Sequence, residues 1–392
     1  MMQTDVLVIG AGAAGLMCAI QAGKRQRKVL VIDKANKMGK KILMSGGGRC
    51  NFTNYYIEYD KYLSHNPHFC KSALSRYTQW DFIEMVRRHN IAFHEKTKGQ
   101  LFCDNKSADI VNMLFAECEK AQVTITLNTE PYTLEPLSKG YLINSSKGMI
   151  KAQAVVIATG GLSIPTLGSS PFAYQIAEQL GIHVWPTRAG LVPLTLTVAD
   201  KARLSMLSGI SVAALVQHPS IDFQDDLLFT HRGLSGPAIL QISSYWQTND
   251  TLDISLLPNH ALLDSLKQAR KTQPQKQLSS ILANHLPKRL LDSFIPALML
   301  QAKLVTLSNQ KLQEICTLLQ CWQLKPHGTE GYRTAEVTLG GVDCNAISSQ
   351  TMQALAYPNL YFVGEALDVT GWLGGYNFQW AWSSGWAAGQ VV

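Results

Sequence analysis

The chain lacks several features that would mark whole classes of protein. Its eight cysteines include no C-x-x-C pair and no cysteine-histidine ligand spacing, so neither a metal site nor a disulfide framework is predicted. No stretch is long and apolar enough to span a bilayer. The apolar N-terminus contains Asp5 and has no basic residues before it, unlike a signal peptide. We therefore expect a soluble, cytoplasmic protein without a membrane partner.

Charge is also sparse. Charged residues make up 16% of the 392 residues against 46% hydrophobic ones, which excludes a disordered chain and favours two or three domains. The net charge of +7 comes partly from short clusters such as Lys40-Lys41 and Lys288-Arg289. Such clusters are usually solvated helix ends and loops, and no aromatic residues are interleaved with them. Nucleic acid is therefore predicted to be an unlikely partner.

Only one glycine fingerprint is present, at the start of the chain. A β-branched strand, a glycine turn, a helix and a second strand follow one another over residues 5–33. In such a βαβ unit Gly10 makes the turn, Gly12 admits a pyrophosphate and Gly15 lets helix and strand pack closely. Asp33 stands near the spacing expected of an acid that accepts a ribose hydroxyl. The unit predicts a bound dinucleotide and leaves NAD and FAD open.

A second glycine loop follows the βαβ unit. Gly46, Gly47 and Gly48 are consecutive and come shortly after Lys40 and Lys41. Glycines in series serve neither packing volume nor helix propensity, so they indicate backbone that a ligand approaches closely. The simplest ligand is the rest of the same cofactor. The two lysines either neutralise its phosphates or are ordinary surface charges.

Residues 39–54 resemble the signature of a bacterial flavoprotein family in the glutathione-reductase-like FAD superfamily. Members are described as NAD(P)/FAD-dependent oxidoreductases or aminoacetone-oxidase-like proteins, and a bile-acid dehydroxylation flavoprotein is similar to them. Disulfide reductases of the superfamily carry a redox dithiol near this loop. Cys50 has no second cysteine nearby, so dithiol chemistry is not predicted. Its thiol either packs against the flavin or, less often, acts as a reactive thiolate.

Two later regions extend the resemblance over nearly the whole chain. Residues 158–161 resemble the second FAD signature, and residues 359–365 resemble the strand whose acidic end binds the ribitol chain, with Glu365 where the wider superfamily has aspartate. The glycines at 371–375 imply amides that face the isoalloxazine, followed by a helix from near Phe378. The predicted FAD contacts are Gly10, Gly12, Ala13, Ala14, Gly15, Asp33, Lys34, Lys41, Ser45, Gly46, Gly47, Gly48, Cys50, Asn51, Ala158, Thr159, Gly160, Gly161, Gly364, Glu365, Gly374, Gly375, Tyr376 and Asn377.

The predicted fold class is α/β: a Rossmann-like FAD-binding domain with an inserted β subdomain and a helical subdomain. Short strand patterns begin near residue 191, and a polar helical stretch broken by prolines follows them. We expect a discontinuous FAD-binding domain at 1–189 and 331–392. The inserted β subdomain is expected at 190–258 and the helical subdomain at 259–330.

Four ionisable residues are the catalytic candidates. His231 lies in a loop that either caps the flavin or binds substrate, or is simply a turn before a helix near Pro237. The other three, Glu330, Arg333 and Glu336, stand beside glycines in the last quarter of the chain. Each is a candidate for proton transfer or substrate anchoring.

The function predicted first is that of an FAD-dependent oxidoreductase. It would transfer two electrons, as a hydride at flavin N5, with a small-molecule substrate and with NAD(P)H as a candidate donor. One alternative is a flavin-dependent enzyme that modifies tRNA or another RNA, which would exploit the positive charge. Another is a flavin sensor or electron carrier without catalytic activity.

Overall fold

A computed structural model describes residues 1–392 and divides into two compact units. The first unit is discontinuous and consists of Met1–Ala189 and Glu336–Val392. The second is the continuous segment Gly190–Ala335. None of the helices combines the length and the hydropathy needed to cross a membrane.

The first segment of the first unit alternates strands and helices. Its helices are α1 (Ala13–Lys24), α2 (Lys40–Met44), α3 (Cys70–Arg76), α4 (Gln79–Arg88), α5 (Ala108–Lys120) and α6 (Phe172–Gln179). Its strands are β1 (Met2–Ile9), β2 (Val29–Ile32), β3 (Asn51–Asn54), β4 (Tyr62–Leu63), β5 (Phe93–Glu95), β6 (Gln100–Cys103), β7 (Thr124–Thr126), β8 (Pro131–Pro136), β9 (Tyr141–Ser145), β10 (Gly148–Ile157) and β11 (Val184–Gly190).

The second unit is an antiparallel sheet with helices. Its strands are β12 (Leu194–Thr195), β13 (Ser211–His218), β14 (Ile221–Phe229), β15 (Gly233–Ser235), β16 (Leu252–Ser255), β17 (Trp322–Leu324) and β18 (Gly328–Thr329), and the sheet order is β17-β16-β13-β14-β15-β12-β18. Its helices are α7 (Val198–Leu204), α8 (Pro237–Ser243), α9 (Leu262–Thr272), α10 (Leu278–Leu282), α11 (Lys288–Phe294), α12 (Ala297–Gln301) and α13 (Asn309–Gln320). Helices α9 to α13 are therefore inserted between β16 and β17, which pair directly.

The last segment returns to the first unit and completes its sheet. It contains β19 (Val337–Val342), β20 (Leu360–Phe362), β21 (Thr370–Gly371) and α14 (Tyr376–Gly389). The main sheet has the order β7-β2-β1-β10-β9-β8, and β20 pairs with β10. Strands β7, β2, β1, β10 and β20 are parallel, while β9 and β8 continue antiparallel. The β-branched centre of β1 is fully buried, as expected for a parallel strand covered on both faces.

Helix α14 is largely buried. Trp380 and Trp382 are almost inaccessible, and their indole nitrogens donate to the carbonyls of Gly364 and Phe52 (3.0 and 2.8 Å). Gly385 lets α14 pack directly on α1, because a Cβ there would lie 2.3 Å from the Ala14 carbonyl oxygen. The C-terminal helix is thus fixed against the helix that follows the first glycine turn.

Candidate cofactor and active site

The first glycine turn joins β1 to α1 and leaves backbone open. Gly15 excludes any side chain, since a Cβ there would lie 1.9 Å from the Gly10 carbonyl oxygen. A Cβ on Gly12 would meet no atom within 4 Å. Helix α1 begins at Ala13 without a side-chain cap, so the amides of Ala13 and Ala14 have no partner within the helix. Open backbone at an uncapped helix N-terminus suits a phosphate.

Asp33 follows β2 and fixes the turn. Its Oδ2 accepts a hydrogen bond from the Ala11 amide and its Oδ1 from the Ala35 amide, both at 2.7 Å. Burial raises the pKa of this carboxyl, while the two amides and the charge of Lys34 act in the opposite direction. Each oxygen retains acceptor capacity for a ribose hydroxyl. Lys34 itself donates to the Ser169 carbonyl (2.6 Å), so its ammonium is tied to a loop.

The second glycine loop follows α2 and has an unusual backbone. Gly46, Gly47 and Gly48 all have positive φ (58°, 65° and 86°), a conformation that L side chains rarely adopt. A Cβ on Gly47 or Gly48 would meet nothing within 4 Å, so conformation rather than crowding requires glycine there. Cys50 is fully buried, and burial raises the pKa of its thiol. The packing interpretation of Cys50 is therefore favoured over the reactive thiolate.

A polar cluster lies beside these loops and is centred on Glu365. Its Oε2 accepts from Lys41 Nζ at 2.6 Å, and its Oε1 accepts from the Thr338 amide at 2.9 Å. Ser163 bridges the pair, with its Oγ 2.6 Å from Lys41 Nζ and 3.2 Å from Glu365 Oε1. These hydrogen bonds hold together four segments that are distant in sequence, the ones that contain Lys41, Ser163, Thr338 and Glu365.

The turn at residues 158–161 carries a buried hydroxyl without a partner. Thr159 Oγ1 is inaccessible and forms no hydrogen bond. Gly160 follows with φ of 71°, and a Cβ there would approach only Glu365 Oε2, at 3.9 Å. A buried hydroxyl normally has a partner. The space and the unpaired hydroxyl together indicate a ligand at this turn.

The N-terminus of α14 forms the last part of the site. Gly374 and Gly375 precede it with positive φ, and the helix has no side-chain cap. Asn377 closes the preceding loop, because its side chain accepts from the Gly371 amide (2.9 Å) and donates to the Gly371 carbonyl (2.8 Å). With its amide oriented to satisfy its neighbours, Asn51 accepts from the Gly375 amide at 3.1 Å. The glycine loop and the helix start are thus joined.

These elements fit FAD. The turn after β1 and the N-terminus of α1 would hold the pyrophosphate, and Asp33 the ribose. The 46–48 loop, the cluster around Glu365 and the amides at the start of α14 would hold the ribitol and flavin. The fit rests on the open backbone at Gly12, Gly47 and Gly48 and on the unpaired Thr159 hydroxyl. The hydroxyl hydrogen of Ser45, another predicted FAD contact, is already used within the protein, since its Oγ donates to the Ile42 carbonyl (2.8 Å).

The four catalytic candidates fall into different units. Glu336 belongs to the first unit, where its carbonyl accepts from Ser163 Oγ at 3.2 Å. The other three belong to the second unit. His231 is exposed and forms no side-chain hydrogen bond, Arg333 is exposed, and Glu330 lies 3.7 Å from Arg232 Nη1. Glu336 alone is therefore placed beside the predicted FAD contacts.

Glu336 combines accessible surface with close protein surroundings. Its side chain is exposed, yet protein atoms lie close around the carboxyl. Desolvation raises the pKa of this carboxyl to about 7, with the Lys41 charge acting in the opposite direction. The carboxyl can exchange a proton near neutral pH.

Sequence reasoning missed two residues of the polar cluster. Thr338 Oγ1 accepts from the amides of Leu162 and Ser163 (2.8 and 3.2 Å), and so fixes the turn after Gly161. Ser163 contacts both charged members of the cluster. The available signal was weak: a hydroxyl two positions after Gly161, and a threonine two positions before the Gly340-Gly341 pair.

Curated relatives span the whole chain. It is 53% identical over 392 residues to the ribosomal RNA dihydrouridine synthase of Escherichia coli K12, covering 98% of this chain and 97% of the relative. It is 49% identical over 390 residues to the protein of the same name from Haemophilus influenzae, with the same coverage. A 3-dehydro-bile acid delta(4,6)-reductase from Clostridium scindens is 26% identical, with 98% of each chain covered.

The prediction that nucleic acid is an unlikely partner is wrong. Two full-length relatives at about half identity are named for a reaction on ribosomal RNA. The error came from requiring aromatic residues among the basic ones, which is the pattern of single-strand stacking platforms. Binding through phosphate contacts needs only positive and polar side chains.

Solved structures and a family comparison complete the assignment. The chain aligns over 99% of its length with a flavocytochrome c3 fumarate reductase (TM-score 0.50, 14% identity, 78% of that chain) and with the 3-ketosteroid-delta4-(5alpha)-dehydrogenase of Rhodococcus jostii (TM-score 0.52, 13% identity, 97% of that chain). The predicted α/β Rossmann-like fold and FAD cofactor are confirmed. The sequence model described as HI0933-like protein Rossmann domain matches residues 4–391, and the chain belongs to this family.

Proposed function

We propose that this chain reduces uridine to dihydrouridine in ribosomal RNA, with FAD as cofactor and a reduced nicotinamide as electron donor. The observation that carries the proposal is the 53% identity, over 98% of the chain, to a ribosomal RNA dihydrouridine synthase. The RNA-modifying alternative is therefore better supported than the small-molecule substrate that was predicted first. Because the proposed substrate is ribosomal RNA, a cytoplasmic location is part of the proposal.

The reaction adds two hydrogens across the C5=C6 bond of the uracil ring. C6 is conjugated with the C4 carbonyl, so C6 takes the hydride and C5 takes the proton. NAD(P)H supplies the electron pair with one hydrogen and becomes NAD(P)+, and an acid supplies the second hydrogen as a proton. Bound FAD supplies the two-electron carrier between nicotinamide and uracil.

A relative with a different substrate supports the same type of chemistry. The C. scindens protein is named as a delta(4,6)-reductase of a 3-dehydro bile acid, which describes reduction of double bonds conjugated with a ketone. Uracil has the same arrangement of a double bond beside a carbonyl. The shared element is thus hydride addition to an electron-poor alkene.

Glu336 is the proposed proton donor. It lies in the unit that carries the FAD elements, adjacent to Ser163 and within the electrostatic influence of Lys41. Desolvation keeps part of the carboxyl protonated near neutral pH, which suits a general acid. Lys41 and Glu365 would position the cofactor rather than transfer the proton, because they form an ion pair with each other.

Complementation in bacteria tests the proposal. The strain would be Escherichia coli K12 without its own ribosomal RNA dihydrouridine synthase, supplied with this chain or with an empty plasmid. We expect dihydrouridine to return to the ribosomal RNA, detected by mass spectrometry of its nucleosides. Ribosomal RNA without dihydrouridine, despite abundant flavin-loaded protein, would reject the function.

A further inference from the structure

The positive charge of the second unit is concentrated in its inserted helices. Residues 262–320, which contain α9 to α13, hold eight Lys and Arg against three Asp and Glu, a net charge of +5. Residues 190–258, which hold most of the sheet, carry three Lys and Arg against six Asp, a net charge of −3. The chain as a whole carries +7. Charge is therefore separated between two parts of one unit.

Four exposed lysines lie on segments of residues 262–320 that contact one another. We call these four residues the lysine edge: Lys271, Lys276, Lys303 and Lys311. An antiparallel bridge joins Gln277 to Lys303, and the Leu304 amide donates to the Lys276 carbonyl (2.9 Å). Arg270, at the end of α9, donates to the Leu307 carbonyl and to Asn309 Oδ1, each at 2.6 Å. These contacts bring the end of α9, its following loop and the start of α13 together.

The ammonium groups of the lysine edge form no ion pairs with acidic side chains. Residues 265–291 and 293–313 contain no Asp or Glu. Lys271, Lys276 and Lys311 form no side-chain hydrogen bond or ion pair, while Lys303 Nζ donates only to Gln275 Oε1 (3.0 Å). Amide and hydroxyl side chains fill the same segments, among them Gln273, Gln275 and Asn309. Unpaired ammonium groups among neutral hydrogen-bonding side chains suit a polyanion.

We infer that the lysine edge binds the phosphate backbone of the ribosomal RNA substrate. This inference rests on the proposed function, and it adds the surface through which the RNA is held. Lysine and amide side chains contact phosphate and sugar oxygens without reading the base sequence. The edge therefore supplies affinity, whereas selection of the target uridine belongs to other parts of the molecule.

A matched pair of triple variants tests the inference. K271Q/K276Q/K311Q removes the three unpaired ammonium groups of the edge. K28Q/K139Q/K151Q removes three exposed lysines of the first unit, so both variants fall to the same net charge. Binding of the FAD-loaded proteins to protein-free bacterial ribosomal RNA is measured over a series of salt concentrations. The rate of FAD reduction by NADPH is measured on the same samples.

The edge variant should bind RNA about ten-fold more weakly than wild type, and its slope of log K against log salt should be shallower by about two to three. The control variant should stay close to wild type, and FAD reduction should be unchanged in both. Equal weakening in both variants, or none in the edge variant, would overturn the inference. Dihydrouridine formation by the wild-type protein is measured separately. If the wild type makes dihydrouridine, either of those binding results overturns only the inference about the lysine edge. If the wild type makes none, the proposed function itself is rejected.

Discussion

Lys41 and Glu365 lie 324 residues apart in sequence and form an ion pair, with Nζ 2.6 Å from Oε2. The pair connects the basic stretch before the glycine loop to the Gly364-Glu365 turn that follows β20. Both side chains are largely shielded from water, at 33% and 20% exposed. An ion pair in such surroundings fixes geometry, and losing one partner leaves the other charge uncompensated.

We expect Lys41→Met to weaken FAD binding by roughly ten- to one hundred-fold, because charged hydrogen bonds contribute about 1.5–3 kcal/mol. Lys37→Met is the matched control, since Lys37 is exposed and forms no side-chain hydrogen bond or ion pair. Fluorescence titration of the apoprotein with FAD gives both dissociation constants. Wild-type affinity in Lys41→Met would show that the ion pair does not support the cofactor.

Thr159→Val should affect FAD binding without lowering the stability of the apoprotein. The Thr159 hydroxyl has no partner in the protein, so its removal should leave the apoprotein as stable or slightly more stable. FAD binding should weaken roughly five-fold, through the loss of one hydrogen bond. Thr338→Val should instead destabilise the apoprotein by about 1–3 kcal/mol, because two backbone amides lose their acceptor. Urea unfolding and FAD titration of both variants decide; unaltered FAD affinity in Thr159→Val contradicts the contact.

Glu336→Gln tests the proton donor. Uridine reduction should fall by roughly 10²- to 10⁴-fold, the usual contribution of a general acid. FAD reduction by NADPH should persist. The protonated carboxyl is the active form, so in wild type the rate of uridine reduction should be constant below the pKa of about 7 and fall above it. Single-turnover rates across pH measure this, with the exposed Glu135→Gln as control. A Glu336→Gln enzyme with the wild-type pH profile would exclude the role.

Glu117 should contribute to stability in a pH-dependent way. Burial raises the pKa of its carboxyl, but hydrogen bonds from Lys24 (2.8 Å), Lys120 (2.9 Å) and His89 (3.0 Å) outweigh it and lower the pKa to about 2. A lowered folded-state pKa stabilises fully above the unfolded value of about 4.3 and loses its effect as pH falls towards 2. Glu117→Gln should therefore cost about 1–3 kcal/mol at pH 7, and less at pH 3.

Urea unfolding at the two pH values measures this difference. Glu119→Gln is the control, because this neighbour on the same helix is exposed and unpaired. A destabilisation of Glu117→Gln that is independent of pH would mean that the carboxylate charge is not what stabilises α5.

Local elements were largely predictable. The apolar spacing over residues 310–320 is typical of a helix, and α13 spans Asn309–Gln320, with Leu312, Ile315 and Leu319 buried. Residues 191–198 have the pattern of a short strand, but only Leu194–Thr195 forms one. Pro193 lacks an amide, Leu191 has φ of 47°, and Thr197 instead caps α7 by accepting from the Asp200 amide (3.2 Å). Turn and cap chemistry overrode the alternating pattern there.

The glycine motifs of the site could be predicted from the sequence, but the polar contacts around them could not. The glycine motifs could be located because few other residues adopt or permit that backbone. The Lys41–Glu365 pair, and the Ser163 and Thr338 hydroxyls beside it, depend on contacts across more than 100 residues. The lysine edge likewise exists only because residues 276 and 303 are neighbours in space. Tertiary contacts of this kind leave no periodic pattern in a single sequence.

Nucleoside mass spectrometry of ribosomal RNA after reaction in vitro tests the central claim most directly. The FAD-loaded protein and NADPH are incubated with protein-free ribosomal RNA from a strain that lacks this modification. We expect uridine to be converted to dihydrouridine, with a mass gain of two hydrogens, only when protein, NADPH and RNA are all present. RNA that stays unmodified while FAD cycles with NADPH would contradict the function.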